Sequence, residues 1–282
     1  MLHTLKTFDG LDLVWREWPC AQPHGTVLIV HGLGEHVGRH EALAARLVAW
    51  GWRVVGHDQR GHGHSGGARG GLPTPDALLR DLAQVMATVR GSNPQPLVLL
   101  GHSLGGLIAA RFVAEGLAAQ PAPWAHDVDG LVLSSPALDP GMNGAQRMLL
   151  ALLGRLAPHL AVGNGLKPAW ISRDAAVVRA YVDDPFVHDR VTPALVRFIV
   201  DAGGVVLRHA PAWRVPTLLI YAGADRCVAP AGSAAFAAAA GVANVSAREF
   251  AGLYHEIFNE PEREQVFEVL QAWLTARFAN LH

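Results

Sequence analysis

The stretch PLVLLGHSLGGLIAARFVAEGL (Pro96–Leu117) changes character at one residue, Ser103. Before it runs an apolar segment of strand length, PLVLLGH; after it, LGGLIAARFVAEGL has the apolar spacing of a helix. A serine between a buried strand and a helix, inside a G-x-S-x-G pattern, is the arrangement that lifts a hydroxyl above a sheet edge for attack. The same pattern recurs as GHSGG at Gly63–Gly67, where the flanks DQRGHGH and GGARGGLP are glycine-rich loop on both sides. No strand delivers Ser65 and no helix leaves it. Ser103 is therefore the expected nucleophile, and Ser65 a residue of a loop that shapes the site.

Outward from this unit the same alternation repeats. Asp9-Gly10 separates two alternating runs, Leu2–Thr7 and Leu11–Trp15, which read as a hairpin. Apolar strands are expected at Gly25–Gly32, Trp52–Asp58, Pro96–His102, Asp129–Ser135, Pro216–Gly223 and Asn244–Phe250. Most are apolar on both faces, as buried parallel strands must be. Helical patterns lie between them at Arg39–Trp50, Thr74–Val89, Leu104–Ala119, Ala231–Ala240 and Pro261–Ala279. The order predicts an α/β fold, a mostly parallel sheet with helices on both faces. From Ala137 to Ala212 no convincing core strand appears, only helical stretches broken at GMNG and GNGLKP. The expected organisation is a core of residues 1–136 and 213–282 with a helical cap, 137–212, inserted into it.

A neutral serine hydroxyl needs a histidine to take its proton. In this kind of site the chain order is Ser, then Asp or Glu, then His. Downstream of Ser103 lie His126, His159, His188, His209, His255 and His282. Only His255, in FAGLYHEIFNEPE, stands in a loop just after a late strand, and such loops face the crevice at the strands' carboxyl ends. The acid must also follow a strand. Asp225, in LLIYAGADRCV, is preferred, and Asp139, after LVLSSPAL, competes for the role. The turn HGLGEH (His31–His36) and the elbow itself are expected to supply the oxyanion donors, the backbone N–H groups of Leu33 and Leu104.

Other classes fit less well. With 23 Lys+Arg against 24 Asp+Glu, the net charge of -1 gives no reason to expect a nucleic-acid partner. Cys20 and Cys227 stand far apart without metal spacing, which fits a reducing compartment, and MLHTLKTFDGLDLVW has no secretory pattern. The run Met148–Val162 carries Arg155 and Pro158 and is too short to span a bilayer, so a soluble, cytoplasmic protein is expected. Asp58, His62 and His64 form an H-x-H beside a carboxylate, but further ligands at zinc-site spacing are absent. The expectation is no metal and no cofactor. A catalytically silent binding protein on this fold is the remaining rival.

Assembled, these segments resemble the monoacylglycerol lipase and lysophospholipase group of α/β-hydrolases. The resemblance runs through HGLGEHVGRH, HDQRGHGHSGG, GHSLGG, SRDAAVVRAYVDDPFV, GADRCVAP and YHEIFNEPE. GHSLGG alone is shared by many esterases; its combination with H-G-x-G-E-H-x-G-R and Y-H-E-x-x-N-E-P is far more specific. The resemblance implies an α/β-hydrolase fold with Ser103, Asp225 and His255 as triad and Leu33 and Leu104 at the oxyanion positions. It further implies a polar pocket for a glycerol moiety formed by Glu35, Arg39 and Tyr181. The implied substrate is a small lipid ester with a single acyl chain, monoacylglycerol first, with lysophospholipids and simple esters as alternatives. Transient contact with a membrane surface through the apolar cap is a further expectation.

Overall fold

The computed structural model describes residues 2–92 and 96–278. His282 and Ala279, the expected end of the last helix, lie outside the described residues. Strands β1 (Leu2–Lys6) and β2 (Asp12–Trp18) pair antiparallel around Asp9-Gly10. β2 then pairs antiparallel with β4 (Arg53–His57), which runs parallel to β3 (Thr26–Val30). β5 (Leu97–His102), β6 (Gly130–Ser134), β9 (Thr217–Ala222) and β10 (Val245–Phe250) continue in parallel, giving the order β1-β2-β4-β3-β5-β6-β9-β10.

Alternate side chains along the central strands enter two separate cores. Leu28, Leu99, Leu131 and Leu219 join one face, covered by α2 (Ala77–Ser92), α3 (Leu104–Gly116), α6 (Pro193–His209) and α7 (Pro230–Ala240). Ile29, Leu100, Val132 and Ile220 join the other, covered by α1 (Glu41–Ala49) and α8 (Arg263–Phe278). Each such side chain removed from water contributes about 1.5–3 kcal/mol, so the central strands cannot slip by one residue without exchanging their two cores. The structure trims some expected elements. The expected Arg39–Trp50 helix opens as a 3-10 turn, Val37–His40, and α3 stops at Gly116 instead of Ala119.

Between β6 and β9 the chain forms α4 (Gly144–Leu156), a 3-10 turn at Pro168–Trp170, α5 (Ala175–Asp183) and α6. A two-residue antiparallel ribbon, β7 (Val162–Gly163) with β8 (Arg190–Val191), ties this segment to itself. Period-based reading misses so short a pairing. The segment is not uniform: α4 and α5 bury no residue, while α6 buries Leu195, Phe198, Ile199, Ala202 and Val206 in the core against α3. Among the described residues no helix is long and apolar enough to cross a membrane.

Candidate active site

Ser103 caps α3 with φ 53° and ψ -119°; among the described residues only Ser135 shares a positive φ without being glycine. Such a conformation costs on the order of 1–3 kcal/mol and persists only where its surroundings over-determine it. They do. Ser103 N–H donates to Ser134 O at 2.9 Å, and Ser103 O accepts the N–H groups of Leu107 and Ala137, both at 3.0 Å. The flanking glycines allow the crowding: a Cβ on Gly105 would collide with the carbonyls of Val30 and His31, and one on Gly101 with Gly105 itself.

Asp225 follows β9, and its Oδ1 accepts the N–H groups of Cys227 at 2.7 Å and Val228 at 3.1 Å. That leaves Oδ2 for His255 Nδ1 at 2.7 Å, with the side chains 1% and 7% exposed. Burial opposes an imidazolium here, but the Asp225 charge and hydrogen bond, with Glu256 and Glu35, outweigh it and raise the His255 pKa above its ordinary 6.5. With Nδ1 facing the carboxylate, the neutral ring presents Nε2 as an acceptor. Asp139 is engaged elsewhere: its Oδ1 caps Gly141 N–H at 2.8 Å and its carbonyl accepts Ala229 N–H. His126 and His159 are exposed, His209 bonds Val205 O at 3.0 Å, and His188 packs on His62.

Two cavities of different size and lining meet at Ser103. One, about 370 Å³, is walled by Leu149, Leu150, Leu153, Val162, Val196 and Ile199, with Ser103, Leu33 and Leu104 at its floor. The other, about 40 Å³, holds Glu35, Arg39, Tyr181, His255 and Glu256. Leu33, Ser103, Leu166 and Cys227 line both.

The peptide on either side of Gly32 is fixed. Gly32 N–H donates to Glu35 Oε1 at 2.6 Å, and Gly32 O meets His31 Nδ1 at 2.8 Å. His31 Nε2 accepts Gln59 N–H at 2.9 Å, which sets the tautomer so that Nδ1 donates. Burial keeps this ring neutral by lowering its pKa. In a planar trans peptide the next N–H points away from the fixed carbonyl, and Leu33 N–H has no acceptor among the described residues. Leu104 N–H, the first of α3, lies where a helix offers its own donors no partner.

Glu35 and Arg39 are paired, with Arg39 Nη1 2.9 Å from Glu35 Oε2 and the Arg39 guanidinium 4.6 Å from the Tyr181 ring centroid. The Tyr181 hydroxyl makes no hydrogen bond among the described residues, and burial pushes its pKa up to about 12. Two glutamates passed over in the sequence complete the frame. Glu256 receives a two-pronged bond from Arg39, and the fully buried Glu260 ties the His255 loop to Ser172 and Arg173 beside α5. Both sit in YHEIFNEPE, Glu256 directly after the expected base and Glu260 five residues beyond it.

Asp225, Cys227 and His255 place possible ligand atoms within 4.8 Å of one another. Burial raises the Cys227 thiol, the Asp225 charge adds to this, and Asp225 and His255 already satisfy each other, so the set is poor metal chemistry. Asp58, His62 and His64 form no such group among the described residues. Asp58 Oδ1 and Oδ2 instead accept the N–H groups of Val37 and His64, each at 2.9 Å.

A serine held at a strand–helix elbow, an Asp–His pair after later strands and a mostly parallel sheet define an α/β-hydrolase. The profile of the family described as serine aminopeptidase, S33, matches residues 21–262, and the chain belongs to that family. It is 34% identical over 280 residues to a monoacylglycerol lipase of Mycolicibacterium smegmatis, covering 97% of this chain and 96% of that one. It is 31% identical over 259 residues to the phospholipase YtpA of Bacillus subtilis, covering 91% and 97%. The crystal structure of Paleococcus ferrophilus monoacylglycerol lipase superposes with TM-score 0.81 at 33% identity, over 94% of this chain and 99% of that one. The protein is a monoacylglycerol lipase-like α/β-hydrolase and an ester hydrolase.

Proposed function

We propose that the protein hydrolyses carboxylic esters of single acyl chains, monoacylglycerol above all, with Ser103, His255 and Asp225 as its triad. One observation carries the reading: at Ser103 a large apolar cavity meets a small one into which Glu35, Arg39, Tyr181 and Glu256 bring polar groups. An acyl chain lies in the first, worth about 0.8 kcal/mol for each CH₂ withdrawn from water, and the alcohol occupies the second. Ser103 Oγ attacks the ester carbonyl while His255 Nε2 takes its proton, and Asp225 stabilises the imidazolium. Leu33 and Leu104 N–H groups receive the oxyanion, each worth on the order of a hundred- to a thousandfold. Collapse releases the alcohol, protonated by His255, and water then cleaves the acyl-enzyme by the same steps in reverse.

The free Tyr181 hydroxyl is the group best able to bond a glycerol hydroxyl, with Glu35 and Arg39 as the polar wall behind it. Residues 137–212 act as the cap over this site. Met148, Leu152 and Leu156 project from α4 beside the cavity wall and are 73%, 55% and 73% exposed. They are the face with which we expect the cap to touch a lipid surface. Both cysteines are free, in keeping with a cytoplasmic setting.

The test is kcat/KM for a monoacylglycerol, the matching triacylglycerol, a lysophospholipid and a methyl ester of the same acid. The monoacylglycerol should lead, because a site built to bond a hydroxyl rejects analogues that lack it. Triacylglycerol at or above it would overturn the capped-pocket reading. A methyl ester matching it would make the protein a general carboxylesterase.

A further inference from the structure

The loop bearing Leu33 and the loop bearing His255 lie far apart in sequence, and buried ions join them. Glu35 holds Gly32 N–H with one oxygen and Arg39 with the other. Arg39 then forks onto Glu256, Nη1 to Oε1 at 2.6 Å and Nη2 to Oε2 at 2.9 Å. Glu256 directly follows His255; its own N–H is bonded to Ile171 O at 2.8 Å, and Asn259 Nδ2 steadies Oε2 at 2.8 Å. The guanidinium is 10% exposed and the two carboxylates 5% and 6%. Burial works against the charges on Arg39 and Glu35, yet Glu256 and Glu35 keep the guanidinium ionised, and His40, with Nε2 3.2 Å from Glu35 Oε1, together with Arg39 keeps the Glu35 carboxylate ionised. A buried ion pair is weak support for stability, because its desolvation cost rivals its attraction. What a two-pronged fork adds over an apolar contact is fixed geometry.

We propose that the Arg39–Glu256 ion pair is a positioning device for ester hydrolysis, holding the His255 loop in register with the oxyanion peptide through Glu35. This rests on the reading of Ser103 and His255 as nucleophile and base. Arg39 and Glu256 act through other groups and touch no reacting atom. The charged and titratable groups around the His255 ring are Asp225, Glu256, Glu35 and Arg39, with the Cys227 thiol and the His102 ring, whose centroid is 4.8 Å away, and Lys167 and Tyr181 lining the same cavity. Burial keeps His102 neutral. Against the opposing effect of burial, Asp225 and then Glu256 favour the His255 imidazolium. Deleting the Glu256 charge therefore moves the acid limb of the pH–rate profile to lower pH, whereas breaking the fork at constant charge leaves the limb in place.

The experiment measures kcat, KM and the pH profile of kcat/KM on a p-nitrophenyl ester for Arg39→Lys, Glu256→Gln and Glu256→Asp, with Tm and circular dichroism of each. Arg39→Lys keeps the charge and loses the planar fork. It should cost up to about a hundredfold in kcat, the size of an ångström-scale misplacement, with the acid limb in place and KM nearly unchanged, because a p-nitrophenyl ester offers no glycerol hydroxyl to the wall that Arg39 helps form. Glu256→Gln should also lower kcat and shift the limb to lower pH, and Glu256→Asp should bring the limb back. Full kcat in Arg39→Lys, or a Glu256→Gln limb coincident with wild type, overturns the proposal. If Glu256→Gln fails to fold, Arg39→Lys and Glu256→Asp decide it through kcat alone. Fluorophosphonate labelling separates the two levels. Loss of labelling and activity in Ser103→Ala beside unchanged Arg39 and Glu256 variants refutes only the tie, while an active Ser103→Ala refutes the underlying mechanism.

Discussion

GHSGG and GHSLG differ by one residue in five, yet the structure uses their serines in opposite ways. Ser65 Oγ donates to Asp58 O at 2.5 Å and accepts Val14 N–H at 2.8 Å, so both of its roles are consumed inside the protein. Around it Gly66 N–H reaches Asp12 O at 2.8 Å, and Arg60 bonds Asp81 of α2 at 2.6 Å. The loop stitches β2 to the end of β4. At Ser103 only the backbone is hydrogen-bonded, and the residue lines the large cavity. A five-residue pattern specifies a tight turn; whether its hydroxyl is spent or available depends on the elements either side.

The comparison breaks first, and most visibly, at Ser103. Replacing it with alanine removes the proposed nucleophile and should lower kcat by about a millionfold, leaving the residue given by oxyanion donors and binding. Active-site titration with a fluorophosphonate measures this independently of substrate choice. A Ser103→Ala enzyme that still turns over and labels at Ser65 would reverse the assignment.

The next effect in size concerns the tight, buried Asp225–His255 pair near Ser103; the Asp58–His64 contact beside Ser65 is longer, 3.4 Å, and its histidine is exposed. Asp225→Asn keeps the shape but lets the amide favour the wrong imidazole tautomer, for which losses near ten-thousandfold are known. Asp139→Asn should cost far less, since its carboxylate only caps the Gly141 turn. Parallel kcat measurements on the two variants check this, and a larger loss at Asp139 would move the acid to the end of β6.

The contrast also marks what could be read from the chain. The largely apolar strands β3, β5 and β9 were plain because every position is buried and the few polar residues, Thr26, His102, Thr217 and Tyr221, stand at or near their ends. Ser103 and Asp225 could be located because each follows such a strand, and His255 because it follows β10, an edge strand whose loop converges on the same crevice although its middle positions are exposed. Glu256 and Glu260 were not, because an acidic residue in a loop reads as solvated until its cation is known, and their cations, Arg39 and Arg173, lie far away in sequence. The ribbon of β7 with β8 is too short for any period, and nothing in its composition separates α6, half core, from α4, wholly exposed on its outer side. Asp225, Glu256 and Glu35 raise the His255 pKa against burial, a shift that no local sequence pattern reveals, so the acid limb belongs above about 6.5.

Ser65→Ala should give the smallest effect on rate, and its effect on stability is the sharper test. Alanine removes the acceptor of Val14 N–H and the donor to Asp58 O in one step, leaving two part-buried backbone groups without a protein partner. Each lost partner of this kind costs on the order of 1–3 kcal/mol when water cannot replace it, and less at a half-exposed position such as this. The expected result is a lower Tm with kcat/KM within about tenfold of wild type, because Asp58 keeps its bonds to Val37 and His64 and the oxyanion turn beside them is undisturbed. Thermal unfolding and ester turnover on one preparation measure both. If turnover falls a thousandfold while Tm stays put, Ser65 takes part in the chemistry, and the two pentapeptides are less different than their surroundings make them.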